Sequence, residues 1–150
     1  MNETSYAIAS NGKRIWSFLI DDMVVNLFLM IIFSSQITAL MSGVTEVNEA
    51  SINLVNQFIL NNISVVLAIK VLYHTLLIWQ SGMTFGKYIM KIKAVDMSTG
   101  QRLSFLQAFW RASVRLLSEM FFYIGFLFAF FSPLHQTLHD KLSNCVVIDV

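Results

Sequence analysis

Asp21 and Asp22 lie side by side inside an apolar run that extends from Ile15 to Met41, with Lys13 and Arg14 just ahead of it. A charged side chain near the middle of a hydrocarbon layer costs about 2.5–3.5 kcal/mol even on the lenient insertion scale, so an adjacent pair needs partners, water or protons. Arg14 and Asp21 are seven residues apart, or two helical turns, and share a face with Ser17, whereas Asp22 is rotated from them by about 100°. At about 1.5 Å per residue Asp21 sits roughly 9 Å beyond Ile15. Lys70 is at a similar distance from the inner end of a second apolar run, so a pair between Asp21 or Asp22 and Lys70 is geometrically reasonable. Two readings follow. The charges are structural, fixing helix register as buried ion pairs do, or they form a cation or proton site, because two carboxylates against one lysine leave negative charge uncompensated. His74, one turn beyond Lys70, either extends a proton path towards the inner surface or is a packed or wetted side chain.

The other polar candidates fall later in the chain. Arg111, Arg115 and Glu119 recur at spacings of four, on one helical face. His135 and His139 are also four apart, with Asp140 next, but no third ligand is evident and no metal is expected. Asp140 has an electrostatic alternative: if the two ends of the chain share one side of a membrane, it pairs with Arg14. The segment Gly82-Met83-Thr84-Phe85-Gly86-Lys87 lacks the spacing of a phosphate-binding loop, and neither a nucleophile elbow nor a metalloprotease helix is present. An enzyme is not expected, nor is a cofactor. Cys145, the single cysteine, excludes an intramolecular disulfide and reads as a small buried residue.

The elements that must position these residues are helices in a bilayer. Of 150 residues 56% are hydrophobic and only 13% charged, with thirteen Phe and one Pro. A soluble domain has about 45–50% apolar and about 25% charged residues. The run from Ile15 to Met41 predicts one membrane helix and acts as an uncleaved anchor; Phe58 to Trp79 predicts a second, close to the roughly 20 residues a span requires. Between them Ser42 to Gln57 carries Glu46 and Glu49 and no Lys or Arg, so it faces outward. The connection from Gln80 to Ala112 carries Lys87, Lys91, Lys93, Arg102 and Arg111 against Asp96 alone and faces the cytoplasm, as does the N-terminus. The net charge of +1 says nothing about nucleic acid; these basic residues cluster in one loop, whose expected partner is the anionic face of a bilayer.

Tyr88 to Val95, a turn at Asp96 to Gly100, and Gln101 to Phe105 predict a short cytoplasmic β-hairpin. Leu103 to Leu134 predicts helix, its first half amphipathic and its second half, Met120 to Phe131, apolar but too short to span unaided. Either Leu116 to Leu134 makes a third crossing, or an amphipathic and a re-entrant helix return the chain to the inner side. The second is preferred, because Asn144 to Val150 reads as a strand whose natural mate is the basic hairpin. The fold expected is thus a single α-helical integral membrane domain with a small β element.

Arg14 with Asp21 seven residues on, the junction Gly82 to Lys87, Arg111, and the tail His139-Asp140 together resemble the RDD family of small bacterial membrane proteins, over nearly the whole chain. That family is named for one arginine and two aspartates, and the resemblance maps them to Arg14, Asp21 and Asp140. It is similar also in a junction of Gly, a polar residue, Thr, an apolar residue, Gly and Lys; here Met83 replaces the polar residue, and Asn144-Cys145 replaces a more usual Gly-Thr before the terminal valines. Asp22 and Lys70 lie outside the signature. The resemblance implies a plasma-membrane protein that moves ions or small ligands. The expectation is a cation- or proton-linked transporter acting as a homo-oligomer, with an accessory subunit of a partner membrane protein as the alternative.

Overall fold

A computed structural model describes residues 7–44, 46–121 and 123–150; Thr45, in the loop expected to face outward, and Phe122, in the apolar stretch expected to re-enter, lie outside them. The first helix, α1, spans Asn11–Ile32, with the Ser10 side chain accepting from the Lys13 amide at its N-cap. Its 22 residues measure about 33 Å, enough to cross a bilayer. The single helix expected up to Met41 is broken: Phe33 leaves helical geometry at φ −95° and ψ 11°, and α2, Ser34–Gly43, continues separately. The Phe33 ring meets Phe58 edge-on at 6.2 Å and Gln36 accepts from Asn62 at 3.0 Å, so contacts with the facing helix hold the break.

That facing helix, α3, spans Glu49–Ser81 and is longer than the predicted Phe58 to Trp79. Asn48 explains the early start, because its side chain caps the Ser51 amide while Glu49 adds negative charge to the first turn. Most of the expected outward loop is therefore helix. Both α1 and α3 are long and apolar enough to cross a membrane. Their exposed faces carry Ile15, Trp16, Leu19, Met23, Leu27 and Phe28 on one helix and Leu54, Ile59, Leu60 and Leu72 on the other. Apolar surface on that scale requires lipid rather than water around it.

Gly82 ends α3 in the left-handed conformation, φ +75°, and a Cβ there would meet the Ala94 carbonyl at 2.8 Å. The chain then forms α4, Phe85–Ile89, and β1, Ile92–Asp96. The expected hairpin between Tyr88–Val95 and Gln101–Phe105 is not formed. The Asp96 side chain accepts from the Ser98 and Thr99 amides and from Gln107, curling the chain at once, and Ser104 begins α5, Phe105–Met120, with a capping box to Gln107. The strand partner is instead β2, Cys145–Asp149, antiparallel with Ala94 opposite Val147. Ile8 bridges Ile148, and Ala9 donates to the Val147 carbonyl, so the chain's first described residues join the same sheet. One sheet face packs Ile92, Ala94, Cys145 and Val147 against Ile78, Leu103 and Ala108; the other packs Val95, Val146 and Ile148 against Leu134.

After α5 the chain turns through 108° into α6, Ile124–Phe131, whose eight residues cover only about 12 Å. A short helix, α7, Leu138–Leu142, leads into β2. Helix α5 runs back along α3: Phe105 packs edge-on against Trp79 at 5.5 Å, and Glu119 reaches Lys70.

Helix α4 lies directly on α1. A Cβ at Gly86 would stand 2.1 Å from the Ser17 carbonyl oxygen, a backbone atom that cannot swing aside. Gly86→Ala is therefore expected to separate α4 from α1, at a cost at or above the roughly 1–3 kcal/mol of ordinary overpacking, visible as a loss of monodisperse protein on size exclusion in mild detergent. Parental yield and melting temperature would overturn it.

Candidate functional site

Asp140 lies at the centre of a buried ionic knot. Thr137 and Asp140 form the capping box of α7, which fixes the carboxylate at the start of that helix. Arg14, from the second turn of α1, donates through Nη1 to Asp140 Oδ2 at 2.7 Å. Arg111, from α5, donates through Nε and Nη2 to Oδ1 at 2.9 and 2.7 Å. Asp140 is fully buried. Burial alone would raise its pKa, but the Arg111 and Arg14 guanidinium groups outweigh burial and hold the carboxyl well below the usual range. His139 beside it is lowered by burial and the neighbouring cations, so it stays neutral. Cys145 is pushed up to about 11, first by burial and then by Asp140, and is a packed thiol rather than a reactive one.

Asp21 is held differently. Its Oδ1 accepts from the Tyr73 hydroxyl at 2.9 Å and the Gly86 amide at 2.8 Å, and its Oδ2 from the Thr84 hydroxyl at 2.5 Å. Thr84 is itself the N-cap of α4, so the Gly-x-Thr-x-Gly-Lys junction is a cradle for this one carboxylate. Of the two pairs envisaged for Lys70, that with Asp22 forms and that with Asp21 does not. Lys70 bridges Asp22 at 3.4 Å and Glu119 at 3.0 Å, and Glu119 also accepts from Arg115 Nε at 3.2 Å. Asp22 and Lys70 are each eleven residues, about 16 Å, from Asn11 and Ser81, the helix ends nearest the sheet. Asp22, Glu119, Lys70 and Arg115 form a neutral set of two acids and two bases; Asp21 lies outside it, and the cation that feels its charge is Lys87. His74 is buried with Nδ1 unpartnered and makes no hydrogen bond to Lys70 among the described residues, so no relay connects them.

Sequence reasoning missed Glu119 as the partner of Lys70, although its place on the face of Arg111 and Arg115 was the available signal. It also missed Tyr73, which lies one turn beyond Lys70, and the reach of Thr84 to Asp21.

The excess charge is positive and lies elsewhere. A cavity of about 190 Å³ opens between α1, α4, α5, α6 and α7. Arg14, Lys87, Arg111 and Arg115 line it with Asp140 as the one carboxylate. The Arg115 guanidinium lies over Phe18 at 4.9 Å and Phe126 at 5.9 Å, which orient it, while Glu119 accepts from its Nε. Lys87 is buried, with no carboxylate within ion-pair distance among the described residues. Burial first, then Arg111, Arg115 and Arg14, lower its pKa to about 7 against the pull of Asp21. The arrangement has the chemistry of an anion receptor.

The RDD family model matches residues 8–144. The chain belongs to the RDD family. It is 30% identical over 69 residues to a proline-rich antigen homolog of Mycobacterium tuberculosis, covering 46% of this chain and 29% of that protein. It is 31% identical over 70 residues to the proline-rich antigen of Mycobacterium leprae, covering 47% and 28%. The match thus spans under a third of the length of these relatives. No solved structure matches. With its apolar helices, this RDD chain is a membrane protein. Arg14 and Asp140 form the ion pair, and Asp21 occupies the junction cradle.

Asp140→Asn is expected to cost about 3–5 kcal/mol, because it strands two buried guanidinium groups. Arg14→Ala should cost less, since Arg111 still satisfies the carboxylate, and the double variant should be no worse than Asp140→Asn alone. Additive losses in detergent melting would mean that the two residues act separately.

For Lys87 the sign is fixed by proton counting. Between pH 7 and its ordinary 10.5 the unfolded chain holds more protons on Lys87 than the folded one, so stability rises with pH through that window. Lys87→Met is expected to raise the melting temperature at neutral pH by several degrees and to flatten the rise. A variant that melts lower at pH 7 would contradict this.

Proposed function

We propose that this RDD protein is a plasma-membrane module that binds an acidic group at the cytoplasmic interface, a binding or transport role rather than a catalytic one. The observation that carries the reading is the cavity lined by four cationic side chains and a single, doubly paired carboxylate. Cation- or proton-linked transport rested on uncompensated negative charge near Asp21 and Asp22; Glu119 and Arg115 add one acid and one base there, but over the whole set the five bases Arg14, Lys70, Lys87, Arg111 and Arg115 exceed the four acids Asp21, Asp22, Glu119 and Asp140, which favours an anion.

Topology supports the placement of this site. Residues 7–9, β1 and β2 share one sheet, so the chain between β1 and β2 starts and ends on one side of the bilayer. An odd number of crossings by α5 and α6 is incompatible with that pairing, and α5 descends beside α3 to the level of Lys70 before α6 returns. Lys and Arg excess puts the sheet side in the cytoplasm. Backbone at that depth is tolerated because protein covers it. Two spans do not enclose a pathway, so movement of a ligand across the membrane needs an oligomer.

In a Cys145→Ser background, Val47→Cys is expected to react with an impermeant maleimide on intact cells and Lys141→Cys only after permeabilisation. The reverse pattern inverts the topology. For the ligand, melting of the purified protein should rise with at least one of inorganic phosphate, an alkyl phosphate or an alkyl carboxylate, and not with Na⁺, K⁺ or Ca²⁺. Stabilisation by a cation that is lost in Asp22→Asn would restore the cation reading and remove this one.

A further inference from the structure

The cavity has two unlike walls. Arg14, Lys87, Arg111 and Arg115 form one. Ile15, Tyr123 and Phe130 belong to the other, and they are 47%, 48% and 59% exposed, on the surface where α1 and α6 meet lipid. An ion drawn from water needs a polar route of entry, whereas this opening is edged by side chains that belong in hydrocarbon.

The second observation is a set of unanswered donors. The Arg14 side chain is only 10% exposed, and its Nε and Nη2 are buried with no hydrogen-bond partner while Nη1 holds Asp140. The Asn11 carbonyl oxygen at the same rim is likewise unpartnered, an acceptor placed for a hydroxyl. Buried donors are rarely left open without a ligand or water to meet them. The void they border, about 190 Å³, is well over ten times the roughly 10–15 Å³ one water needs, so it admits a tetrahedral oxyanion with its substituents. Guanidinium groups suit such an anion, since their N–H pairs match its oxygens two at a time.

We infer that the cavity holds the phosphate head of an anionic membrane amphiphile, entering sideways from the bilayer, with Arg14 and Lys87 on the phosphate and the acyl portion leaving past Ile15 and Phe130. This deepens the anion reading above and rests on it. Basic pockets between helices near the inner face are a recurrent means of holding acidic headgroups. The lipid-facing wall is the part that distinguishes an amphiphile from free phosphate. Asp140 does not oppose the ligand, because both of its oxygens are already engaged by Arg14 and Arg111.

The test uses the full chain in nanodiscs of phosphatidylcholine alone, phosphatidylcholine with a few per cent phosphatidic acid, and phosphatidylcholine with millimolar inorganic phosphate. Retained lipid is counted by native mass spectrometry and stability is read from melting. The expected result is selective retention of phosphatidic acid, persisting in high salt, with no stabilisation by free phosphate. Lys87→Met should reduce retention at least tenfold while melting higher than the parent in plain phosphatidylcholine, a combination that a purely structural role does not produce. Ile15→Glu, on the opposite wall, should also reduce it while leaving the cationic wall untouched. Stabilisation by inorganic phosphate with no preference for phosphatidic acid overturns the amphiphile and leaves the anion reading standing. No response to phosphatidic acid or phosphate overturns the amphiphile, and equal retention of phosphatidylcholine, or no response to an alkyl carboxylate as well, removes both. Folded Lys87→Met and Ile15→Glu proteins that keep phosphatidic acid as tightly as the parent place the lipid elsewhere and overturn the site.

Discussion

Asp140 is the group on which the other charges depend. Its carboxylate is fully buried and is shared by arginines from α1 and α5, so one side chain from the end of the chain fixes two helices that come from its beginning and middle. Without it, two guanidinium groups at the membrane boundary face each other across an apolar pocket, and Lys87 lies close enough to add a third positive charge. Ion pairs of this kind are poor sources of net stability, because desolvation offsets most of the attraction. What they supply is geometry: α5 sits at one angle and one height relative to α1, and the cavity exists because those positions are held.

Much of this was legible in the sequence because it depends on charge and period. The apolar runs, the Lys and Arg bias between loops, the strand character of the last residues and the facing of Arg14 towards Asp140 all follow from residue types at fixed spacing. The break at Phe33 was not legible, since nothing between Ile15 and Met41 is a helix breaker; it depends on the facing Phe58 and Asn62. Nor was the loss of the expected hairpin, where local turn chemistry at Asp96 is satisfied equally well by a loop that leads into the Ser104 cap. A strand without a local partner found a distant one.

The site was only half legible for a related reason. Composition identifies charges, but balance requires knowing which of them meet. Two aspartates and a lysine in apolar surroundings point to a missing cation; Glu119 and Arg115 of α5 add one acid and one base, and it is the set of Arg14, Lys87 and Arg111 around Asp140 that turns the balance positive. Lys87, with no carboxylate within ion-pair distance among the described residues, then stands out as the uncompensated group. Asp21, the most conspicuous residue of the chain, has both oxygens engaged by a tyrosine, a threonine and a glycine amide, none of them charged.

The sheet also dictates an order of events in synthesis. Residues 7–9 bond to 147–149, and Lys13 reaches Asp149 at 2.9 Å, so one segment is completed by another synthesised 140 residues later. Both long helices are in the bilayer before β2 exists, and for that interval Arg14 lies at the membrane surface without its carboxylate. Closure of so large a loop is slow by the rule that distant contacts form late. The newly inserted chain therefore presents an unpaired β1 edge and exposed guanidinium groups at the membrane surface until residue 149 arrives, a window in which acidic lipid or a chaperone is the natural temporary partner.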